Sequence, residues 1–223
     1  MAAPGRRGPR PSLSVEQIAA AAVRVADAEG LGAVSMQRVA KEFGYSTMSL
    51  YRYVATKDEL MAAAVDLVAA GAPVPEPGEP WRAGMTRWAE ALWAVYLRHP
   101  WVTRVQTAAP PSSREQLAWL EFSLTALTEA GLTGQEALST TTFLLGAIRD
   151  LARITLDLRA AGPGTPYPER IAAAVASGEF PALAAVMAGP DDQGGDETST
   201  APDLAFGLQR LLDGVEGHIR ARG

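Results

Sequence analysis

The stretch Ser35–Lys57, SMQRVAKEFGYSTMSLYRYVATK, constrains this chain more than any other. Two short helical patterns flank a turn at Phe43-Gly44-Tyr45-Ser46. Ser35 suits an N-cap, because its hydroxyl can accept from a first-turn N–H that has no partner within the helix. Val39, Ala40 and Phe43 then recur at helical spacing, and Gly44 ends the first pattern. The second is expected over Thr47–Val54. A step of about 100° per residue puts Leu50 and Val54 on one side. Met48 and Arg52 fall opposite, with Ser49 and Tyr51 on the flanks. A helix this short has no folding reason to expose Met, Tyr and Arg together. Two such helices around a tight turn have the layout of a helix-turn-helix, whose second helix enters the DNA major groove.

The flanking residues support the same frame. Ser14 is an N-cap for a helix in which Val15, Ile18, Ala19, Ala22, Val23, Val25 and Ala26 repeat at three-to-four spacing up to Glu29. Gly30 stands where a helix-ending glycine belongs. Thr56 and Glu59 form a capping box that opens a fourth helix, expected over about Lys57–Ala70. Residues 1–12, MAAPGRRGPRPS, are too rich in Pro, Gly and Arg to bury a core. Residues 1–13 are therefore expected to be a disordered basic arm, either solvated or touching phosphate or the minor groove.

A formal charge of −5 argues at first against a nucleic-acid partner, but the distribution reverses that. Residues 1–60 sum to +2 and the remainder to −7. A basic head on an acidic body is the asymmetry that a DNA reader would show.

The run from Val34 to Gly44, then Ser49-Leu-Tyr-Arg-Tyr-Val54 and Lys57-Asp-Glu-Leu60, resembles the DNA-binding domain of TetR-family regulators, as does Gly30-Leu31. The likeness is dense over Ser14–Leu60. In length and helical character the body resembles the tetracycline-repressor type of C-terminal domain. The resemblance implies an all-α fold: a three-helix helix-turn-helix domain at 14–60 and a larger helical ligand-binding and dimerisation domain at 61–223. It implies a homodimer on palindromic double-stranded operator DNA, released by a small-molecule effector. Matching positions give roles. Gln37 and Lys57 would meet the DNA backbone, and Thr47 and Tyr53 bases or phosphates. Ser49, Tyr51 and Arg52 face outward, and Met48 suits a thymine methyl. Tyr53 stands where His is frequent in the family, and Thr47-Met48 also departs from the common pattern; both leave the operator sequence open. The long helix Thr133–Arg159 and the last helix Asp203–Arg222 would pair with their copies as a four-helix bundle. Leu204, Leu208, Leu211, Leu212 and Val215 supply the stripe at that interface.

Beyond the head, GAPVPEPGEP (71–80) holds four prolines and marks a boundary. A helix is expected from Trp81 to Arg98, with Met85, Trp88, Leu92, Val95 and Tyr96 inward. Ser112 or Ser113 caps the next, closed by Gly131, and Thr133 with Glu136 caps the long one. A loop at Ala161–Pro168 precedes short helices near Glu169–Ser177 and Pro181–Ala188. The acidic, glycine-rich segment 189–200 reads as a tolerated insertion or as a flap over a pocket. Gly207 and Gly214 in the last helix cost about 1 kcal/mol each relative to Ala, which makes sense if another backbone packs close.

Chemistry is sparse. The chain has no cysteine and two histidines, so disulfides are excluded and a metal centre is not expected. His99 and His218 read as ordinary surface or helix-end residues. Neither a GxSxG, a Walker loop nor a GxGxxG after a strand is present, so neither a cofactor nor an enzyme is expected. Apolar runs fall short of the ~18 residues that span a bilayer, and no apolar segment follows the N-terminal arginines; no membrane partner and a cytoplasmic location are expected. All five tryptophans lie between Trp81 and Trp119, in the body. They fill its core, or Trp88, Trp93, Tyr96, Trp119, Phe122 and Phe143 line a cavity for an apolar or aromatic ligand, with Arg149, Asp150 or Arg153 as polar anchors. The alternative to a regulator is a helical small-molecule-binding or protein-interaction module whose DNA binding is incidental.

Overall fold

The computed structural model describes residues 13–105, 111–161, 166–188 and 202–222. Every regular element among them is helical, so the fold is all-α. The basic arm and the acidic 189–200 segment lie outside the described residues. Two compact units form: one from the described residues up to Pro73 with Arg98–Glu121, the other from Val74–Leu97 with those from Phe122 onward.

The first unit begins with α1 (Val15–Glu29). The Ser14 hydroxyl accepts from the Gln17 N–H at 3.2 Å, and the Gln17 side chain accepts in return from the Ser14 N–H at 3.1 Å. The inward face of α1 carries Ile18, Ala21, Ala22, Val25 and Ala26. Its alanines let neighbouring backbones approach closely. Gly30 ends the helix at φ +84°, a region that a side chain would strain. After one turn of 3-10 helix, α2 (Met36–Glu42) starts at Ser35, whose hydroxyl accepts from the Arg38 N–H.

Gly44 then takes φ +66°, and Tyr45 donates its N–H back to the Ala40 carbonyl at 3.1 Å. This is the tight turn of the motif. The helix that follows, α3, covers only Thr47–Leu50 rather than running to Val54. Tyr53 donates to Leu50 at 2.8 Å, an i to i−3 bond that tightens the chain into a turn. The reason lies just downstream. Thr56 is extended (φ −139°, ψ 164°) where it caps α4 (Lys57–Ala69), so the helical run has to end before it.

Val34, Val39, Leu50, Val54, Leu60 and Ala64 close over the α1 face as a single buried cluster. Trp101 joins it from a 3-10 helix at Pro100–Arg104. Arg38 ties α1 to α2, reaching Glu29 and Glu42 at 2.6 Å each. Exposed pairs of this kind contribute about 0.2–1 kcal/mol each, so the apolar cluster dominates.

The second unit draws on most of α5 (Trp81–Arg98) and the latter half of α6 (Arg114–Glu129), with α7 (Gly134–Ala161), α8 (Pro166–Ala176), α9 (Pro181–Met187) and α10 (Pro202–Arg220). It buries Met85, Trp88, Ala89, Leu92 and Trp93 from α5, Leu144, Ile148 and Ala152 from α7, and Leu204, Leu208 and Leu212 from α10. Polar groups inside are paired: the Thr141 hydroxyl donates to Ser123 at 3.1 Å. Arg82 joins α5 to α10 through Gln209, Asp213 and Glu216. Helix α8 begins at Pro166, three residues earlier than the expected loop boundary. Prolines 166 and 168 occupy its first turn, where backbone N–H groups have no helical acceptor to lose. No residue of α9 is buried.

Candidate DNA-binding surface and effector region

In the head, burial of Leu50 and Val54 fixes the rotation of the segment around α3. Met48, 73% exposed, Tyr51 and Tyr53 are thereby turned outward, and Arg52 is exposed with them. Thr47 and Ser49 are half-buried; the Ser49 hydroxyl lies 3.1 Å from that of Ser46 and braces the start of α3. Gln37 at the start of α2 and Lys57 at the start of α4 are both exposed. The α4 terminus is held by Glu59, whose carboxylate accepts from the Ala55 N–H at 2.7 Å while its own N–H donates to Thr56 Oγ1. The Glu59 carboxylate thus reaches Ala55, one residue before the cap.

The cations of this surface differ in their bonding. Arg38 is engaged by two carboxylates, which push its guanidinium pKa further up. Arg52 and Lys57 form no ion pair among the described residues. Free cations beside exposed Tyr and Met, on a short helix after a tight turn, are the chemistry of phosphate contact combined with base-edge contact.

The predicted ligand residues divide. Trp88, Trp93 and Tyr96 are buried on α5. Burial raises the Tyr96 phenol to about 12, against an opposing pull from the Arg149 charge. Phe122 is buried with the Arg87 guanidinium 5.3 Å above its ring. Trp119 belongs to the first unit, donating its indole N–H to the Ala69 carbonyl at 2.9 Å. Phe143 is 65% exposed, so it is removed from any enclosed lining; on α7 it falls outside the buried line of Leu144, Ile148 and Ala152. Arg149 is exposed, and Arg153 is bound to Asp150 and Asp157 at 3.0 and 3.3 Å.

The α10 stripe also needs correction. Leu204, Leu208 and Leu212 are buried within the protomer, because the spacing of four that makes them a stripe aims them at its own core. Leu211 and Val215 remain half-buried and line an open groove of about 440 Å³ with Leu132, which precedes α7, and Ser139 and Thr140 of α7. The glycine expectation fails among the described residues of the protomer: none of their atoms lies within 4 Å of a Cβ built on Gly207 or Gly214.

Trp101 was placed with the body, whereas His99 and His218 do lie at helix ends, as expected. Trp101 fills the head core rather than the body, and His99 and His218 each face a carboxylate, Asp27 at 2.9 Å and Glu136 at 3.0 Å. Only the flanking Pro100 hinted at a distinct segment there. Among the described residues no group of acidic and histidine side chains could hold a metal ion, and no helix is long and apolar enough to cross a membrane.

This geometry defines a helix-turn-helix DNA-binding protein with a second helical unit. Residues 14–64 match the family described as bacterial regulatory proteins, tetR family, and residues 74–219 match the tetracyclin repressor-like C-terminal domain. The chain therefore belongs to the TetR family and is a DNA-binding transcriptional repressor. It is 35% identical to the HTH-type transcriptional repressor DrrR1 of Streptomyces coeruleorubidus over 97% of this chain and 82% of that protein. A regulator from Saccharopolyspora erythraea is 32% identical over 58% of this chain and 56% of its own. Among solved structures, the Streptomyces coelicolor TetR family protein ActR in complex with actinorhodin superposes with a TM-score of 0.74 at 26% identity, over 93% of this chain and 99% of that one.

Proposed function

We propose that the protein binds a palindromic operator as a homodimer and is released from it by a small, largely apolar or aromatic ligand. Residues 14–60 read DNA, and the chain from 61 onward senses the ligand and dimerises. The observation that carries this reading is the outward strip Met48, Tyr51, Arg52 and Tyr53, with unpaired Lys57 beside it. Tyr51 and Arg52 meet base edges, Met48 a thymine methyl, Ser49 and Thr47 support them at the flanks, and Gln37 and Lys57 hold phosphates. One helical turn offers too few base contacts for useful specificity, so two heads are needed about one DNA turn apart.

Dimerisation is supported by apolar side chains that the protomer leaves in water. Phe143, Ile154 and Leu158 are exposed on α7, and Phe206 is 70% exposed on α10. Phe206 lies about 200° around the helix from Leu204, on the side away from the protomer's core. Large apolar side chains left exposed on two helices are what an oligomer interface covers. Leu211 and Val215, in the groove, lie at its margin.

Ligand release follows as a population shift: an effector that favours a spacing of the heads unsuited to operator lowers DNA affinity. That ActR is found in complex with actinorhodin supports a small-molecule effector for this chain. Footprinting on the DNA upstream of the gene tests the whole. Two protected half-sites centred about 10 base pairs apart, filled by two chains, are expected. Protection of a single site by one chain contradicts the reading.

A further inference from the structure

Tyr45 lies in the tight turn, directly before Ser46, which occupies the N-cap of α3. Gly44 at φ +66° and the bond from the Tyr45 N–H to the Ala40 carbonyl at 3.1 Å fix its backbone. Its ring stacks on Phe43, with centroids 6.4 Å apart and planes 18° off parallel. Both rings pack against the buried cluster of the head, to which Leu50 at the end of α3 also belongs. An apolar group before the cap and another in the helix beyond it set the angle at which the chain enters that helix. The Tyr45 ring is thus part of what aims α3.

Its hydroxyl has no such role inside the protein. It bonds to no described residue, whereas the neighbouring hydroxyls of Ser46 and Ser49 are paired with each other at 3.1 Å. No buried side-chain oxygen or nitrogen among the described residues lacks a partner, so the Tyr45 oxygen opens to solvent. The side chain is half-buried, with its apolar body against the core and its polar tip in water. A rigidly mounted donor therefore stands beside the N-terminal end of α3, the end of a recognition helix that meets the bases.

We propose that the Tyr45 hydroxyl donates to a DNA phosphate at the edge of the major groove, a contact additional to the strip of Met48, Tyr51, Arg52 and Tyr53. The inference rests on the DNA-reading assignment above. The ring is pinned to the core and to Phe43, so it stays with the turn while α3 carries other side chains to the base edges. A single phenol donor also discriminates poorly between bases, which are told apart by paired contacts, but it suits a phosphate oxygen. Because the phenol is mounted on the residues that aim α3, its contact sets the register of the head on the duplex. Being an uncharged donor, it adds affinity without releasing a counterion.

The test uses the full chain and an operator fragment from the DNA upstream of the gene. Tyr45→Phe keeps the ring on Phe43 and against the core, so its melting temperature should match the parent's. Its operator affinity should fall about tenfold for each half-site, the loss of a hydrogen bond to a charged group. The factor should be the same at every salt concentration and for altered half-sites. Duplexes carrying a single methylphosphonate, in which a methyl replaces one phosphate oxygen, then locate the acceptor. At one position in each half-site the parent should lose about tenfold more affinity than Tyr45→Phe does. Equal affinity of Tyr45→Phe and the parent overturns the inference and leaves the DNA-reading strip standing. A loss confined to particular base sequences, or no methylphosphonate position that separates the two proteins, overturns the phosphate assignment. A parent without salt-dependent binding to the fragment overturns the DNA reading and this inference together.

Discussion

The indole N–H of Trp101 donates to Oδ1 of Asp27 at 2.8 Å, fixing the 3-10 helix Pro100–Arg104 to the first helix of the head. Nδ1 of His99 lies 2.9 Å from the same oxygen, with the imidazole edge-on to the indole. A residue more than seventy positions downstream is thus part of the core on which the DNA-reading strip is built.

Trp101→Ala should destabilise that core by about 3–5 kcal/mol, the range for deleting a buried aromatic. Trp101→Phe keeps most of the apolar volume and should lose about 1–2 kcal/mol, mainly the bond to Asp27. Urea unfolding followed by circular dichroism separates the two. Equal midpoints for parent and Trp101→Ala would mean that this side chain is not core.

At Gly44 the backbone is in the left-handed region, with open space where a Cβ would go. Gly44→Ala should therefore be destabilising by about 1–2 kcal/mol through backbone strain alone. A lower melting temperature with unchanged helical content is the expected result. No shift would mean that the turn relaxes.

Glu136 accepts from the Thr133 N–H and hydroxyl, then from His218 and Arg222, and these bonds hold its carboxyl at about 2 against a usual 4.5. A lowered carboxyl stabilises the fold fully above its unfolded value, and the contribution fades as pH falls from about 4.5 toward 2. Melting temperatures of the parent and Glu136→Gln should therefore differ most above pH 5 and converge on acidification. A constant gap across that window contradicts this.

Phe143→Glu and Phe206→Glu change residues that the protomer leaves exposed, so each should fold normally. Charge placed in a paired apolar face opposes association. Sedimentation should show a shift from dimer to monomer, with operator affinity falling in parallel. A variant that remains dimeric excludes its phenylalanine from the interface.

Local signals carried much of the fold. Ser14, Ser35, Thr56, Thr133 and the prolines after Ala70 set helix boundaries through short-range bonds and backbone limits, so they were readable residue by residue. Helix α5 spans Trp81–Arg98 as its pattern indicated. The expected end of α3 at Val54 overran the observed one at Leu50, because Leu50 and Val54 keep helical spacing and are both buried although only the first lies in the helix. Periodicity showed that Leu204, Leu208 and Leu212 form a stripe, but not whether it meets the protomer's own core or a second chain. Phe143 and Trp101 were misplaced for the same reason: their neighbours are distant in sequence, and hydrophobicity does not say which core a residue joins.

The central claim is that the outward strip around α3, with Lys57, reads DNA. Operator affinity measured across a salt series for the parent, Tyr51→Ala, Arg52→Ala and Lys57→Ala tests it most directly. Lys57→Ala should lower the salt slope by about one unit, the loss of a single phosphate contact. Tyr51→Ala and Arg52→Ala should weaken operator binding by about 1–3 kcal/mol and reduce discrimination against altered half-sites. Binding indistinguishable from the parent for all three at every salt concentration would contradict the account.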